Sequence, residues 1–361
     1  MTSALSLQIH GGNVWRAAAR LGVAPSEIVD FSASINPLGP SPRALRAIRG
    51  HLKDLSSYPD PVCSSLVETI ADYHKVSPRS ILVGNGSTEL IYLVARSFGE
   101  QTLIPLPSFS DYERSVRLAG GRCRFLAADP SSGFQIDPNR LGRSLRRGDS
   151  LIFLGNPNNP TGQRHSAGLL RDLVKTGGRK GVRIALDEAF IDFWEEDSLS
   201  REAVESRNLI ILRSFTKFFA LAGLRIGYLI AHPEIVALLG KYQEPWTVNT
   251  LAQVAAQASL GDQAYIRESR VRMEETRPEF VKGLQALKGL VVFPSGANYL
   301  LFRVAPPRSA SRLAESLLQK GVLIRDAGSF RGIGPEFLRV AVKSKAENRL
   351  LLRLLPKVLR F

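Results

Sequence analysis

The chain has little sulfur chemistry to offer. Its 361 residues include two methionines and two cysteines, Cys63 and Cys123. The cysteines lie far apart and form no Cys-x-x-Cys, so neither a disulfide framework nor a cysteine zinc site is expected. Both read as structural thiols in a reducing cytosol. Long apolar runs are also missing: none approaches the roughly 20 residues that a membrane-spanning helix needs. No apolar core follows a basic start at the N-terminus, so no secretory signal is expected. The pattern Gly-x-x-x-x-Gly-Lys-[Ser/Thr] does not occur, which disfavours a P-loop nucleotidase. Acidic residues are in short supply: 33 Asp and Glu stand against 48 Lys and Arg, a formal charge of +15. Such an excess suits either nucleic acid or small molecules that carry phosphate. The basic residues are scattered along the chain without a basic tail, an RNP-type aromatic motif or zinc-ligand spacing. Phosphorylated small molecules are therefore the expected partners, with no nucleic acid and no membrane.

What remains is ordinary for a globular enzyme, with 44% apolar and 22% charged residues. The segment 1–35 is rich in turn-forming residues and reads as an arm with one short helix, Val14 to Leu21. From about residue 80 to 230, short apolar runs alternate with helical patterns such as Ser87 to Phe98 and Ala167 to Lys175. The strand candidates are Ile81–Val83, Thr102–Ile104, Cys123–Leu126, Leu151–Leu154, Val182–Leu186, Leu209–Leu212 and Ile226–Ile230. Continuous apolar strands indicate a sheet covered on both faces. The fold class is α/β, with a mostly parallel sheet in a large domain, 36–245. Residues 246–361 carry a long helical stretch, roughly Leu251 to Leu287, and fewer strands, and read as a smaller α+β domain. Sheets of the first kind bind ligands at the carboxyl ends of their strands, and the chain's notable motifs fall there.

Arg213-Ser214-Phe215-Thr216-Lys217, followed by Ala222-Gly223-Leu224-Arg225, places hydroxyls and cations after a strand, a grouping suited to phosphate. A lysine among cations has a depressed pKa and can act as an amine nucleophile. Asp187, in Leu186-Asp187-Glu188-Ala189-Phe190, ends another strand; it is either a cap or the partner of a protonated heterocycle nitrogen. Asn156-Pro157-Asn158-Asn159-Pro160-Thr161-Gly162 is a rigid turn that can hold an asparagine amide in place. Gly84-Asn85-Gly86-Ser87-Thr88-Glu89 follows a strand and opens a helix, where backbone N–H groups receive anions.

In order and spacing these motifs resemble the fold-type I pyridoxal-phosphate enzymes, in the histidinol-phosphate aminotransferase-like branch, over nearly the whole chain. The resemblance implies a Schiff base between pyridoxal 5′-phosphate and Lys217, with Asp187 on the pyridine nitrogen and Asn159 on the phenolate oxygen. It assigns the cofactor phosphate to Gly86, Ser87, Ser214, Thr216 and Arg225, and ring stacking to Phe109. Tyr58, in Ser57-Tyr58-Pro59-Asp60, matches a tyrosine that reaches the neighbouring subunit's cofactor, which implies a homodimer. In much of the branch a tyrosine stands at the place of Phe190 and touches the phenolate oxygen; Phe190 cannot donate that bond.

Two further segments bear on the reaction. His10-Gly11-Gly12-Asn13, with Asp30-Phe31-Ser32-Ala33-Ser34-Ile35-Asn36-Pro37, is similar to the threonine-phosphate decarboxylases of cobalamin synthesis. Arg325 and Arg339 match arginines that bind the substrate's acid groups, and a guanidinium suits such bidentate capture. His10, Gly11, Asn36 and Asn159 are expected to close over the same substrate. The resemblance thus implies a cytoplasmic decarboxylase of L-threonine O-3-phosphate, with transamination of histidinol phosphate or a related amino acid as the alternative. The same residues serve both outcomes, and the geometry of the anion anchors decides between them.

Overall fold

A computed structural model describes residues 11–359. Its strands are β1 (Val29–Asp30), β2 (Ile81–Gly84), β3 (Gln101–Leu106), β4 (Arg122–Ala127), β5 (Leu151–Gly155), β6 (Arg183–Asp187), β7 (Leu209–Ser214), β8 (Gly227–Ala231), β9 (Leu290–Val292), β10 (Tyr299–Val304), β11 (Val322–Leu323), β12 (Arg325–Asp326) and β13 (Phe337–Ala341). Seven of them form the large sheet in the order β2-β8-β7-β6-β5-β3-β4. β8 runs antiparallel to both β2 and β7, and the remaining neighbours are parallel. β5 and β7 are buried at every residue, as their continuous apolar sequence demands when helices cover both faces.

Helices Gly86–Phe98 and Ser110–Leu118 pack on one face of the sheet, around Leu90, Val94, Tyr112, Phe153 and Leu212. On the other face lie the helices Ser64–His74 and Ala167–Arg179, packed on Ile152, Leu186, Ile211 and Tyr228. The C-terminal part carries a four-stranded antiparallel sheet, β12-β13-β10-β9. The long helical stretch is two helices, Thr250–Leu260 and Gln263–Gln285, because Asp262 ends one turn and caps the next by accepting from the Tyr265 N–H at 3.3 Å.

The arm joins the C-terminal part. β1 pairs in parallel with β11, and Arg20 of helix Val14–Leu21 contacts Glu315 at 2.8 Å. Among the described residues no helix is long and apolar enough to cross a membrane.

The carboxyl ends of β6 and β7 are tied together from below. Alternate strand residues face opposite sides, so Asp187 and Ser214 open upward while Arg213 turns the other way. The Arg213 side chain is wholly buried and meets Glu188 at 3.3 Å, Asp192 at 2.8 Å and Glu195 at 2.7 Å. A buried guanidinium needs such partners, because leaving either charge alone costs about 3–5 kcal/mol.

Candidate active site

The strand ends deliver the chemistry to one cavity of about 510 Å³, lined among others by Asp187, Ser214, Thr216, Lys217, Arg225, Arg325 and Arg339. Lys217 follows β7 in a tight segment whose backbone is fastened by the Asn36 N–H donating to the Lys217 carbonyl at 2.9 Å. Its Nζ stands 5.7 Å from the centre of the Phe190 ring. Burial, followed by the charges of Arg339 and Arg225, pulls the amine down from 10.5 to about 8, against the opposing pull of Asp187 and Asp30. Asp187 is buried at the end of β6, and burial raises its carboxyl above the ordinary range. Its Oδ2 accepts from Tyr112 Oη at 2.6 Å and its Oδ1 from the Ala189 N–H at 3.0 Å.

The opposite end of the cavity is an anion cradle. Helix Gly86–Phe98 begins here, and Ser87 of its first turn lines the cavity together with Ser214 and Thr216, so hydroxyls gather at a helix start, where backbone N–H groups favour an anion. Gly86 has φ +78°, and a Cβ there would stand 2.6 Å from Arg225 Nη2. Gly227 of β8 also has no room for a side chain, because a Cβ would lie 2.5 Å from the Ser87 nitrogen. Two glycines thus let a helix start, a strand and a guanidinium converge.

The Asn-Pro-Asn-Asn-Pro-Thr-Gly turn divides its work. Asn156 braces the turn, its Oδ1 accepting from the His165 N–H at 2.8 Å. Asn158 Nδ2 donates to the Pro107 carbonyl at 2.9 Å and to Thr161 Oγ1 at 2.8 Å. Asn159 alone of the three lines the cavity. Its Oδ1 accepts from Arg339 Nη1, which leaves its Nδ2 as the donor to the cavity. Phe109 stands at the cavity wall after β3.

Arg325 and Arg339 are direct cross-strand partners on β12 and β13, so their side chains emerge together. Both are buried. Burial and then the Arg339 charge push Arg325 down to about 10, and burial also lowers Arg339. Arg325 Nη2 donates to Ser329 Oγ at 2.8 Å, and Arg339 Nη2 to the Ser32 carbonyl at 2.9 Å. Arg339 also lies over the Tyr299 ring at 5.0 Å, while Tyr299 Oη donates to the Asn158 carbonyl at 2.7 Å. Ser32 anchors the arm: its hydroxyl donates to Asp30 at 2.6 Å and accepts from the Gly12 N–H at 2.7 Å. A Cβ on Gly11 would lie 2.2 Å from the Ser32 carbonyl oxygen. Gly11 therefore has a packing reason and lines the cavity, while Gly12 is favoured by its φ of +86°.

Asn36 and Tyr58, both expected site residues, do not line this cavity. Asn36 does not line it; the Asn36 amide nitrogen donates to the Phe218 carbonyl at 2.9 Å, Tyr265 Oη at 3.0 Å and Ser269 Oγ at 2.8 Å, behind Lys217. A tight turn, in which the Ile35 N–H donates to the Ala33 carbonyl at 2.9 Å, separates the two residues, and Ser34 lines the cavity instead, where the buried Ser34 hydroxyl has no partner among the described residues. Tyr58 is 82% exposed and touches Trp246, ring centres 5.0 Å apart, away from this chain's cavity. His10 lies outside the described residues. Tyr112 and Tyr299 gave no motif signal in the sequence: one sits in an ordinary amphipathic helix and the other in a largely buried strand, and only the fold brings them to Asp187 and Arg339.

The set fits pyridoxal phosphate. It offers a cradle without Cβ atoms for the phosphate, a carboxylate, an aromatic wall and one amine. The depressed Lys217 pKa yields a direct test. The neutral amine predominates above about pH 8, so borohydride trapping of pyridoxal phosphate on the cofactor-free protein should rise to half its maximal rate near that pH. Trapping at Lys217 with a midpoint near the ordinary lysine value would contradict the electrostatics described here.

Comparison with known proteins agrees with the architecture. The family described as aminotransferase class I and II matches residues 26–355. The chain is 35% identical to the threonine-phosphate decarboxylase of Salmonella typhimurium over 359 residues, covering 99% of this chain and 98% of the relative. It is 36% identical to the histidinol-phosphate aminotransferase of Methanopyrus kandleri over 368 residues, covering 97% and 93%. The crystal structure of the histidinol-phosphate aminotransferase from Clostridium acetobutylicum superimposes with a TM-score of 0.86 at 33% identity, over 91% of this chain and 98% of that one. With a fold-type I architecture and a cavity built to hold pyridoxal phosphate, the chain belongs to the class I and II aminotransferase family.

Proposed function

We propose that the protein decarboxylates L-threonine O-3-phosphate to (R)-1-aminopropan-2-ol O-phosphate, as a cytoplasmic enzyme of cobalamin biosynthesis. The observation that carries this reading is the buried pair Arg325 and Arg339, side by side and facing the cavity that holds Lys217. The arm supports it: Gly11 and Gly12 are seated on Ser32, whose carbonyl also accepts from Arg339. The Salmonella typhimurium relative bears the same activity in its name. Histidinol-phosphate transamination, named for the Methanopyrus kandleri relative, is the second reading.

Pyridoxal phosphate, when bound, supplies an electron-withdrawing ring that accepts the pair released when a bond at the substrate's Cα breaks. The chain decides which bond that is. In this reading Asp187 would face the ring nitrogen, Asn159 the phenolate oxygen and Phe109 the ring face, while Gly86, Ser87, Ser214, Thr216 and Arg225 would hold the phosphate. Which bond breaks would follow from how the chain anchors the substrate. If Arg339 held the carboxylate, Cα–H would be the bond to break and transamination would follow. If Arg325 and Arg339 took the substrate's phosphate instead, the carboxylate would be left unanchored and would leave as CO₂. Lys217, whose amine can gain and lose a proton near neutrality, then returns a proton to Cα.

The assembly is proposed to be a homodimer. Leu52, Leu55, Tyr58, Val62 and Trp246 are exposed in the single chain. Four of them lie within residues 52–62 and Tyr58 touches Trp246, ring centres 5.0 Å apart; exposed large apolar side chains grouped in this way suit an interface. Sedimentation should give twice the chain mass, and Tyr58→Asp should shift the protein toward monomer; a wild-type monomer at micromolar concentration would overturn the assembly.

The activity itself is tested with carboxyl-labelled L-threonine O-3-phosphate, pyridoxal phosphate and no 2-oxo acid. Sustained release of labelled CO₂ is expected. Cofactor bound without CO₂ release, together with turnover of histidinol phosphate and a 2-oxo acid, would transfer the assignment to the second reading.

A further inference from the structure

Tyr112 belongs to helix Ser110–Leu118 and is 2% exposed. Its ring is clamped on two sides. It stacks on Phe153 with centres 5.0 Å apart and planes 8° from parallel, and it meets Phe109 edge to face at 5.7 Å and 82°. That clamp points the hydroxyl at Asp187 Oδ2, 2.6 Å away. The other Asp187 oxygen is occupied by the Ala189 N–H.

We propose that Tyr112 is a positioning residue for the cofactor, holding the Asp187 carboxylate ionised and fixed in direction toward the ring nitrogen. The inference rests on the place given to Asp187 under the proposed function and is independent of the substrate. A pyridinium is held only by a carboxylate, because a neutral carboxyl offers no charge to stabilise the ring proton. Burial works against that charge at Asp187, and the hydrogen bond from Tyr112 is the largest effect opposing burial, ahead of the Ala189 N–H and the Lys217 charge.

The groups that face Asp187 come from several elements. Tyr112 and Asp111 lie on the helix, Lys217 follows β7, and Tyr299 lies on β10 with Arg339 of β13 over its ring. Burial pushes both tyrosines well above their ordinary pKa, so each keeps its proton throughout the working range. Lys217 is the attachment point for the cofactor and its charge is not constant. The Tyr112 hydroxyl and the Ala189 N–H are the fixed donors that remain.

The test is the pH dependence of cofactor affinity in the full-length protein, freed of cofactor by dialysis, with no substrate present. Tyr112→Phe removes one oxygen and keeps the ring in its stack. Loss of a hydrogen bond to a charged group should weaken binding at neutral pH by about tenfold. It should also raise the pH at which affinity falls away on acidification, since Asp187 then takes up its proton at higher pH. In an Asp187→Asn background the same substitution should change affinity by less than about twofold, because its target has gone. Equal weakening in both backgrounds, or none in the wild type, would overturn the proposal. An Asp187→Asn protein that binds cofactor like the wild type would remove Asp187 as the ring-nitrogen partner, and the proposal with it. A missing decarboxylase activity would leave every one of these readings intact.

Discussion

Four cationic side chains converge on one cavity, and the site depends on that crowding. Arg325 and Arg339 come from neighbouring antiparallel strands, Arg225 from the turn before β8, and Lys217 from the end of β7. Like charges in a buried place raise each other's free energy, and the lysine, as the weakest base among them, yields first. Burial first, and then the charges of Arg339 and Arg225, bring its amine to about 8. Asp30 and Asp187 offset part of the excess, and bound anions would complete the balance. The same arrangement therefore makes a nucleophilic amine and two places for phosphate or carboxylate.

The fold places these groups by simple means. Parallel strands β6 and β7 bring Asp187 and Ser214 to the same edge, and the buried Arg213 cluster ties that edge from beneath. Glycines are used where atoms must approach: Gly86 and Gly227 at the phosphate cradle, Gly11 against Ser32. The small sheet contributes Arg325 and Arg339. The arm reaches the same point through Asp30 and Ser32, so the large sheet, the small sheet and the arm meet around one cavity.

Much of this was legible from the sequence because strand ends in an α/β sheet have recognisable punctuation. The apolar runs from Ile81 to Ile230 marked the strands, and the residues that follow them include Lys217, Asp187, Asn159 and Ser87. The break at Gly261-Asp262 was hidden because both flanking segments share one helical pattern. The place of Asn36 depends on a local turn that its sequence does not announce: the Ile35 N–H donates to the Ala33 carbonyl, and Ser34 lines the cavity while the Asn36 amide reaches Tyr265 and Ser269. Tyr112 and Tyr299 could not be found, since their roles depend on contacts across 75 and 141 residues of chain. The net charge of +15 was a guide only in part. Arg213 is spent on internal pairing, whereas Arg225, Arg325 and Arg339 face the cavity.

The central claim is that the anchored substrate loses its carboxylate and that the chain returns a proton to the same carbon. Proton NMR of the reaction in D₂O with L-threonine O-3-phosphate tests it most directly. The account expects 1-aminopropan-2-ol O-phosphate carrying one deuterium on the carbon that lost CO₂, with no 2-oxo product. Recovery of threonine phosphate deuterated at Cα with its carboxylate intact, or formation of the 2-oxo acid, would show that the C–H bond is the one that breaks and would contradict the account.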